Sequence, residues 1–161
     1  MKLFLLRHGQ AGSGYPDSVR ELTERGRAHA TALGQFLKGN KHFHPEVLWQ
    51  SPLVRAQQTA ACVLSASDVS VDQVREVDRL EPDRDPVSLL QELEGLQRDL
   101  LIVGHNPNIS VFASLLLGGE RGRARVYFKT CNMVCLEWAP IPNYGQVGSC
   151  ELAWMLDPRL F

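Results

Sequence analysis

The sequence predicts an α/β fold, a three-layer α/β/α sandwich around a mostly parallel central sheet. Two observations carry that expectation. Leu3 to Leu6 and Leu100 to Val103 are unbroken apolar runs, the pattern of strands covered on both faces. Around them, short apolar runs alternate with longer stretches of helical period, which is the order of βα units. No repeat, low-complexity tract or linker interrupts the 161 residues, so one domain spanning 1–161 is expected.

The elements follow in order. The strand Leu3 to Leu6 stops at Arg7-His8-Gly9. A helix starts after Leu22, with Thr23 as N-cap and Glu24 favourably placed for the helix dipole. Ala30, Leu33, Phe36 and Leu37 form its apolar stripe, and Gly39-Asn40 supplies the stop. Val47-Leu48-Trp49 is a second strand, followed by Ser51 as N-cap and Pro52 as first helical residue. Arg55 then falls in the opening turn of a helix that turns Ala56, Ala60, Val63 and Leu64 inward. A weaker strand lies between Val69 and Val77. Asp85-Pro86 caps a helix whose Leu89, Leu90, Leu93 and Leu96 face one side. The run Leu100 to Val103 ends at Gly104-His105-Asn106-Pro107, where Asn106 caps and Pro107 starts a helix that buries Ile109, Phe112, Ala113 and Leu116. Residues 134–138 and 150–154 read as two late strands paired around a Pro/Gly/Asn loop.

Composition narrows the classes of function. Apolar residues at 44% and charged residues at 22% fit a folded chain rather than a disordered one. A net charge of −1 gives no whole-molecule attraction to nucleic acid or an anionic membrane. Arg121, Arg123 and Arg125 lie in a Gly-rich stretch that reads as a solvated loop, or as a contact for an acidic partner protein. The apolar run after Met1 meets Arg7 too soon for a signal peptide, and no run suits a membrane helix. Cys62, Cys131, Cys135 and Cys150 lack zinc or redox spacing and read as reduced thiols. The expectation is a cytoplasmic monomer without nucleic-acid or membrane partners.

Arg7-His8 and His105 each follow a buried strand, and open α/β sheets bind ligands at the carboxyl ends of their strands. Arg55 opens the helix after a third strand and can lean over the same edge. The helix after His105 adds free N–H groups and a dipole that favour an anion. Two guanidinium forks suit the oxygens of a phosphoryl group, and their charge is fixed at physiological pH. The same charges oppose a divalent cation, so no metal and no cofactor is expected. A neutral histidine in such a pocket can attack phosphorus, with Arg7, Arg55 and a protonated His105 stabilising the transferring group.

Three motifs in register now carry a resemblance. Arg7-His8-Gly9, the run from Ser51 through Arg55 to Thr59, and Gly104-His105-Asn106-Pro107 resemble the signatures of the histidine phosphatase superfamily. The run Asp17-Ser18-Val19-Arg20-Glu21-Leu22-Thr23 and the closing 154–158 are similar to its SixA-type phosphohistidine phosphatases. The resemblance implies a phosphoglycerate mutase-like fold and His8 as the phosphorylated residue. It further implies a phosphate pocket of Arg7, Arg55 and His105, with Arg20 as an additional oxygen ligand, and a phosphorylated protein or small phosphorylated molecule as substrate.

Larger members of that superfamily place a general-acid glutamate between the second and third signatures. Here the stretch offers Asp78, Glu81 and Asp83 with little room for an insertion, so the acid is one of these three or is absent. An imidazole leaving group needs less protonation than an alkoxide, which favours phosphohistidine over a monoester. The alternatives are a mutase or monoester phosphatase, and a binding module that has lost turnover. His42 and His44 form an HxH without a third ligand, His29 reads as a surface helix residue, and Trp49, Trp138 and Trp154 read as core. Asp17 supports Arg20 or caps a turn.

Overall fold

A computed structural model describes residues 1–119, 124–138 and 150–161. Its elements are β1 (Lys2–Arg7), α1 (Glu24–Leu37), β2 (Val47–Gln50), α2 (Val54–Ser67), β3 (Gln73–Glu76), α3 (Val87–Glu94), β4 (Leu100–Gly104), α4 (Asn108–Gly118), β5 (Met133–Trp138) and β6 (Cys150–Leu156). The six strands form one sheet in the order β3-β2-β4-β1-β5-β6. Pairings among β3, β2, β4 and β1 are parallel, whereas β5 runs antiparallel to both β1 and β6.

Strand alternation divides the core into two halves. Leu3, Leu5, Val47, Trp49, Leu100 and Ile102 face Leu89 and Leu93 of α3 and Ile109, Phe112 and Leu116 of α4. Phe4, Leu6, Leu48, Leu101 and Val103 face the other way, onto Ala30, Leu33 and Leu37 of α1 and Ala56, Ala60 and Val63 of α2. Successive strand residues point to opposite faces, so the uninterrupted apolar runs of β1 and β4 require helices on both sides. The three-layer α/β/α sandwich follows, and burial of each Leu or Phe contributes about 1.5–3 kcal/mol.

Several local expectations are displaced. α2 begins at Val54 with Leu53 as its N-cap, not at Pro52. Ser51 does accept a hydrogen bond from the Leu53 N–H (3.3 Å), but its hydroxyl is shared with His105. α4 begins at Asn108 with Pro107 as N-cap. The Asn106 side chain is spent elsewhere, donating to the Phe128 carbonyl and accepting from Ser110. Phe36 is half exposed and stacks on Phe161. The stripe of α1 turns past it because Gly34, with the Val63 carbonyl only 2.5 Å from where a Cβ would stand, sets the close crossing with α2. β3 carries an exposed face throughout, which is why its sequence gave a weak signal at the sheet edge.

Thr23 caps α1 as expected, its hydroxyl accepting from the Gly26 N–H at 3.0 Å. Trp49 is buried beneath the Arg75 guanidinium, and Trp138 and Trp154 pack half-buried against the two core halves. His29 is half-buried with an unpartnered Nδ1, rather than a surface residue. Its helix face turns partly toward the interior. Arg121 and Arg123 lie outside the described residues, and Arg125 is exposed.

Candidate active site

β2, β4 and β1 are neighbours in the sheet, so their carboxyl ends deliver Ser51, His105 and His8 to one edge. Backbone bonds fix the exits: the His8 N–H donates to the Gly104 carbonyl (3.0 Å) and the Ser51 N–H to the Val103 carbonyl (3.0 Å). The next turn of chain is held from two sides. Gly9 N–H donates to the Thr59 hydroxyl at 2.9 Å, and that hydroxyl donates to the Arg55 carbonyl at 2.6 Å. The Gln10 carbonyl meets Gly26 so closely that a Cβ there would stand 2.1 Å from it. Only glycine lets α1 abut this loop.

His8 and His105 face each other, their ring centroids 4.7 Å apart. His8 Nδ1 lies 2.6 Å from the Gly9 carbonyl, which can only accept, so the proton sits on Nδ1 and the Nε2 lone pair is free. Burial pushes the His8 pKa down to about 4, the Gly9 hydrogen bond opposing and the Arg55, Arg7 and Arg20 charges reinforcing the shift. His105 is fully buried, and burial followed by the His8 and Arg55 charges pushes it down to about 3. In the free pocket both rings are therefore neutral at pH 7, and a protonated His105 requires the opposite charge of a bound phosphoryl group. His105 Nε2 lies 2.8 Å from the Ser51 hydroxyl, and its Nδ1 is buried without a partner.

Arg7 donates through Nη1 to the Phe128 carbonyl at 2.8 Å, which also receives Asn106. Arg55 is only 4% exposed. Its Nη1 donates to the Asp17 carbonyl and its Nη2 to the Asp17 carboxylate, each at 2.8 Å. Arg20 reaches the other carboxylate oxygen at 2.8 Å and the Gly12 carbonyl at 2.7 Å. Those two guanidiniums, Arg20 first, hold the Asp17 carboxyl below the ordinary carboxylate range. The structure thus brings together Arg7, His8, Arg55 and His105, with Arg20 close enough to act on His8. Such an array can bind an oxyanion and present an imidazole nitrogen to it.

Of the carboxylates between the second and third motifs, Asp78 is exposed in a short 3-10 turn. Glu81 and Asp83 line a cavity of about 240 Å³ together with Asp17 and Leu53. That loop is pinned over the edge by buried Asn108, whose amide donates to the Arg79 and Arg84 carbonyls at 2.9 and 2.7 Å. Sequence reasoning gave no role to Thr59 or Asn108 and treated Ser51 only as a cap. Ser51 and Thr59 did lie inside the motif around Arg55, and that was their one signal.

His42 and His44 are exposed, and among the described residues no cluster of three His, Cys, Asp or Glu side chains could hold a metal. No helix among them is long and apolar enough to cross a membrane. The four cysteines are free.

The depressed histidines make a prediction about stability. Unfolded histidines take up protons near pH 6.5, whereas the native His8 and His105 do so only near about 4 and about 3. Between those limits the unfolded state binds more protons, so stability falls as pH drops from 6.5 and is full above it. Urea unfolding at pH 7.5 and 4.5 is expected to differ by a few kcal/mol, and His105→Asn should shrink that difference. An equal gap in the variant would show that other groups cause it.

Comparison with known proteins agrees with this geometry. The family model for the histidine phosphatase superfamily (branch 1) matches residues 3–81, which include the first two motifs. Phosphohistidine phosphatase SixA of Escherichia coli is 30% identical over 129 residues, covering 74% of this chain and 76% of SixA. A 2,3-bisphosphoglycerate-dependent phosphoglycerate mutase of Corynebacterium kroppenstedtii is 45% identical over 74 residues. That match takes in 42% of this chain and spans only 29% of the mutase's length. A solved structure of the protein histidine phosphatase SixA complexed with tungstate superposes with a TM-score of 0.81, at 26% identity and 99% coverage of each chain. With SixA related over about three quarters of each chain and the fold superposing over nearly the whole length, the chain belongs to the histidine phosphatase superfamily.

Proposed function

We propose that the chain is a phosphatase for phosphohistidine that works through a covalent phosphohistidine at His8. The observation carrying this reading is the His8 imidazole itself. Its Nδ1 proton is committed to the Gly9 carbonyl and its pKa lies far below neutrality, so Nε2 is an unprotonated nucleophile at pH 7. Arg7, Arg55 and Arg20 supply the positive charge that the equatorial oxygens need. The hydrogen bond between His105 Nε2 and the Ser51 hydroxyl fixes the second ring beside His8.

In the first step Nε2 of His8 forms a bond to phosphorus as the bond to the substrate nitrogen breaks. The departing imidazole takes a proton from water. In the second step water attacks phosphorus, the bond to His8 breaks, and inorganic phosphate leaves with the neutral imidazole restored. Likeness to SixA supports a P–N substrate, and tungstate bound to a SixA supports an oxyanion pocket. The partner is then a cytoplasmic protein carrying phosphohistidine.

A second reading, a phosphatase or mutase for small phosphate esters, is favoured by the local match to the mutase and by Glu81 and Asp83 lining the cavity beside Asp17. Rates on a histidine-phosphorylated protein and on a panel of phosphate esters separate the two. The expected kcat/KM is at least about a hundredfold higher for the phosphohistidine protein, the scale on which general-acid help matters for an alkoxide. Faster turnover of any ester would move the assignment to the second reading.

A further inference from the structure

Arg55 is an almost wholly buried cation, and a buried charge without a partner is strongly destabilising. In the free pocket its partner is Asp17, whose carboxylate bridges Arg55 and Arg20 through two hydrogen bonds of 2.8 Å. Asp17 itself is more than half exposed and opens a 3-10 turn, Asp17–Val19, that buries no residue. Arg20 keeps a separate anchor on the Gly12 carbonyl. The carboxylate is therefore held only by the two guanidiniums, in a turn that buries no residue of its own and whose backbone is tied to Arg55 through the Asp17 carbonyl.

The geometry points to Asp17 as a resident anion that occupies Arg20 and Arg55 between turnovers and competes with inorganic phosphate for them, hastening product release. The inference rests on the phosphatase reading above. A phosphate dianion taking the same two guanidiniums either displaces the carboxylate or lies beside it, and in both cases the Asp17 charge opposes phosphate. The alternative, a mere prop for the two arginines, has the opposite sign. Removing a prop loosens the guanidiniums and weakens phosphate binding.

The sign is measurable. Asp17→Asn keeps the shape and one acceptor oxygen while removing the charge, and Asp17→Ser offers a second neutral side chain in the same exposed turn. Inorganic phosphate, titrated by calorimetry and as a competitive inhibitor, is expected to bind either variant about tenfold more tightly than the parent, as one opposing charge at a partly exposed site would dictate. KM and kcat are expected to fall together, because phosphate leaves more slowly. Asp17→Glu, which retains the charge, should stay near the parent. Phosphate binding unchanged or weaker in the neutral variants would overturn the inference. Failure of the parent to bind phosphate at all would instead remove the phosphatase reading on which it stands.

Discussion

Replacing His8 by alanine is expected to lower kcat/KM on a phosphohistidine protein by about four orders of magnitude or more, the scale seen when a covalent nucleophile is lost. Among the described residues no other imidazole at the sheet edge is placed to take over. His105 is the other imidazole there, but its Nε2 is engaged with Ser51 and its Nδ1 is buried. The variant should fold, since His8 is half-buried and its ring bonds only to the adjacent Gly9 carbonyl. It should also lose part of the acid sensitivity described above, because one depressed imidazole is gone. Residual activity within tenfold of the parent would mean that attack comes from water or from another group.

The second large effect concerns Arg55. Arg55→Ala is expected to reduce kcat by about 10²–10³-fold, as removal of one preorganised donor to a developing oxyanion does. Arg55→Lys should recover little of it. The lysine keeps the charge but cannot form the fork that grips the Asp17 backbone and carboxylate at once. Steady-state kinetics on both variants, with urea midpoints as a control for folding, would decide the matter. Full recovery by lysine would reduce the role of Arg55 to charge alone.

Much of this was legible in the sequence for identifiable reasons. The apolar runs of β1 and β4 demand cover on both faces, and that demand alone fixes a layered α/β fold with Arg7, His8 and His105 at strand ends. Arg55 could be placed because it follows β2 within one helical turn. β3 was blurred because an edge strand with every residue exposed carries no hydrophobic signature.

What stayed hidden were the long-range polar contacts. Thr59 and Gly9 are separated by 50 residues, and Asp17 and Arg55 by 38. No periodicity records such pairs. The sequence offers Asp17 only its near neighbour Arg20 or a turn cap, whereas its bond to the buried Arg55 needs the fold. The neutral state of His105 in the free pocket is hidden for a related reason. Proximity of arginines was visible in the motifs, but complete burial was not, and burial is the largest cause of its depressed pKa.

The central claim is that phosphate passes through a bond to His8. Rapid quenching of the enzyme during turnover of a radiolabelled histidine-phosphorylated protein, followed by peptide mapping, tests it directly. The account predicts an acid-labile, alkali-stable label that appears before free phosphate and maps to the peptide containing His8. A protein that turns over substrate with no such label, or with the label on a peptide lacking His8, would contradict it.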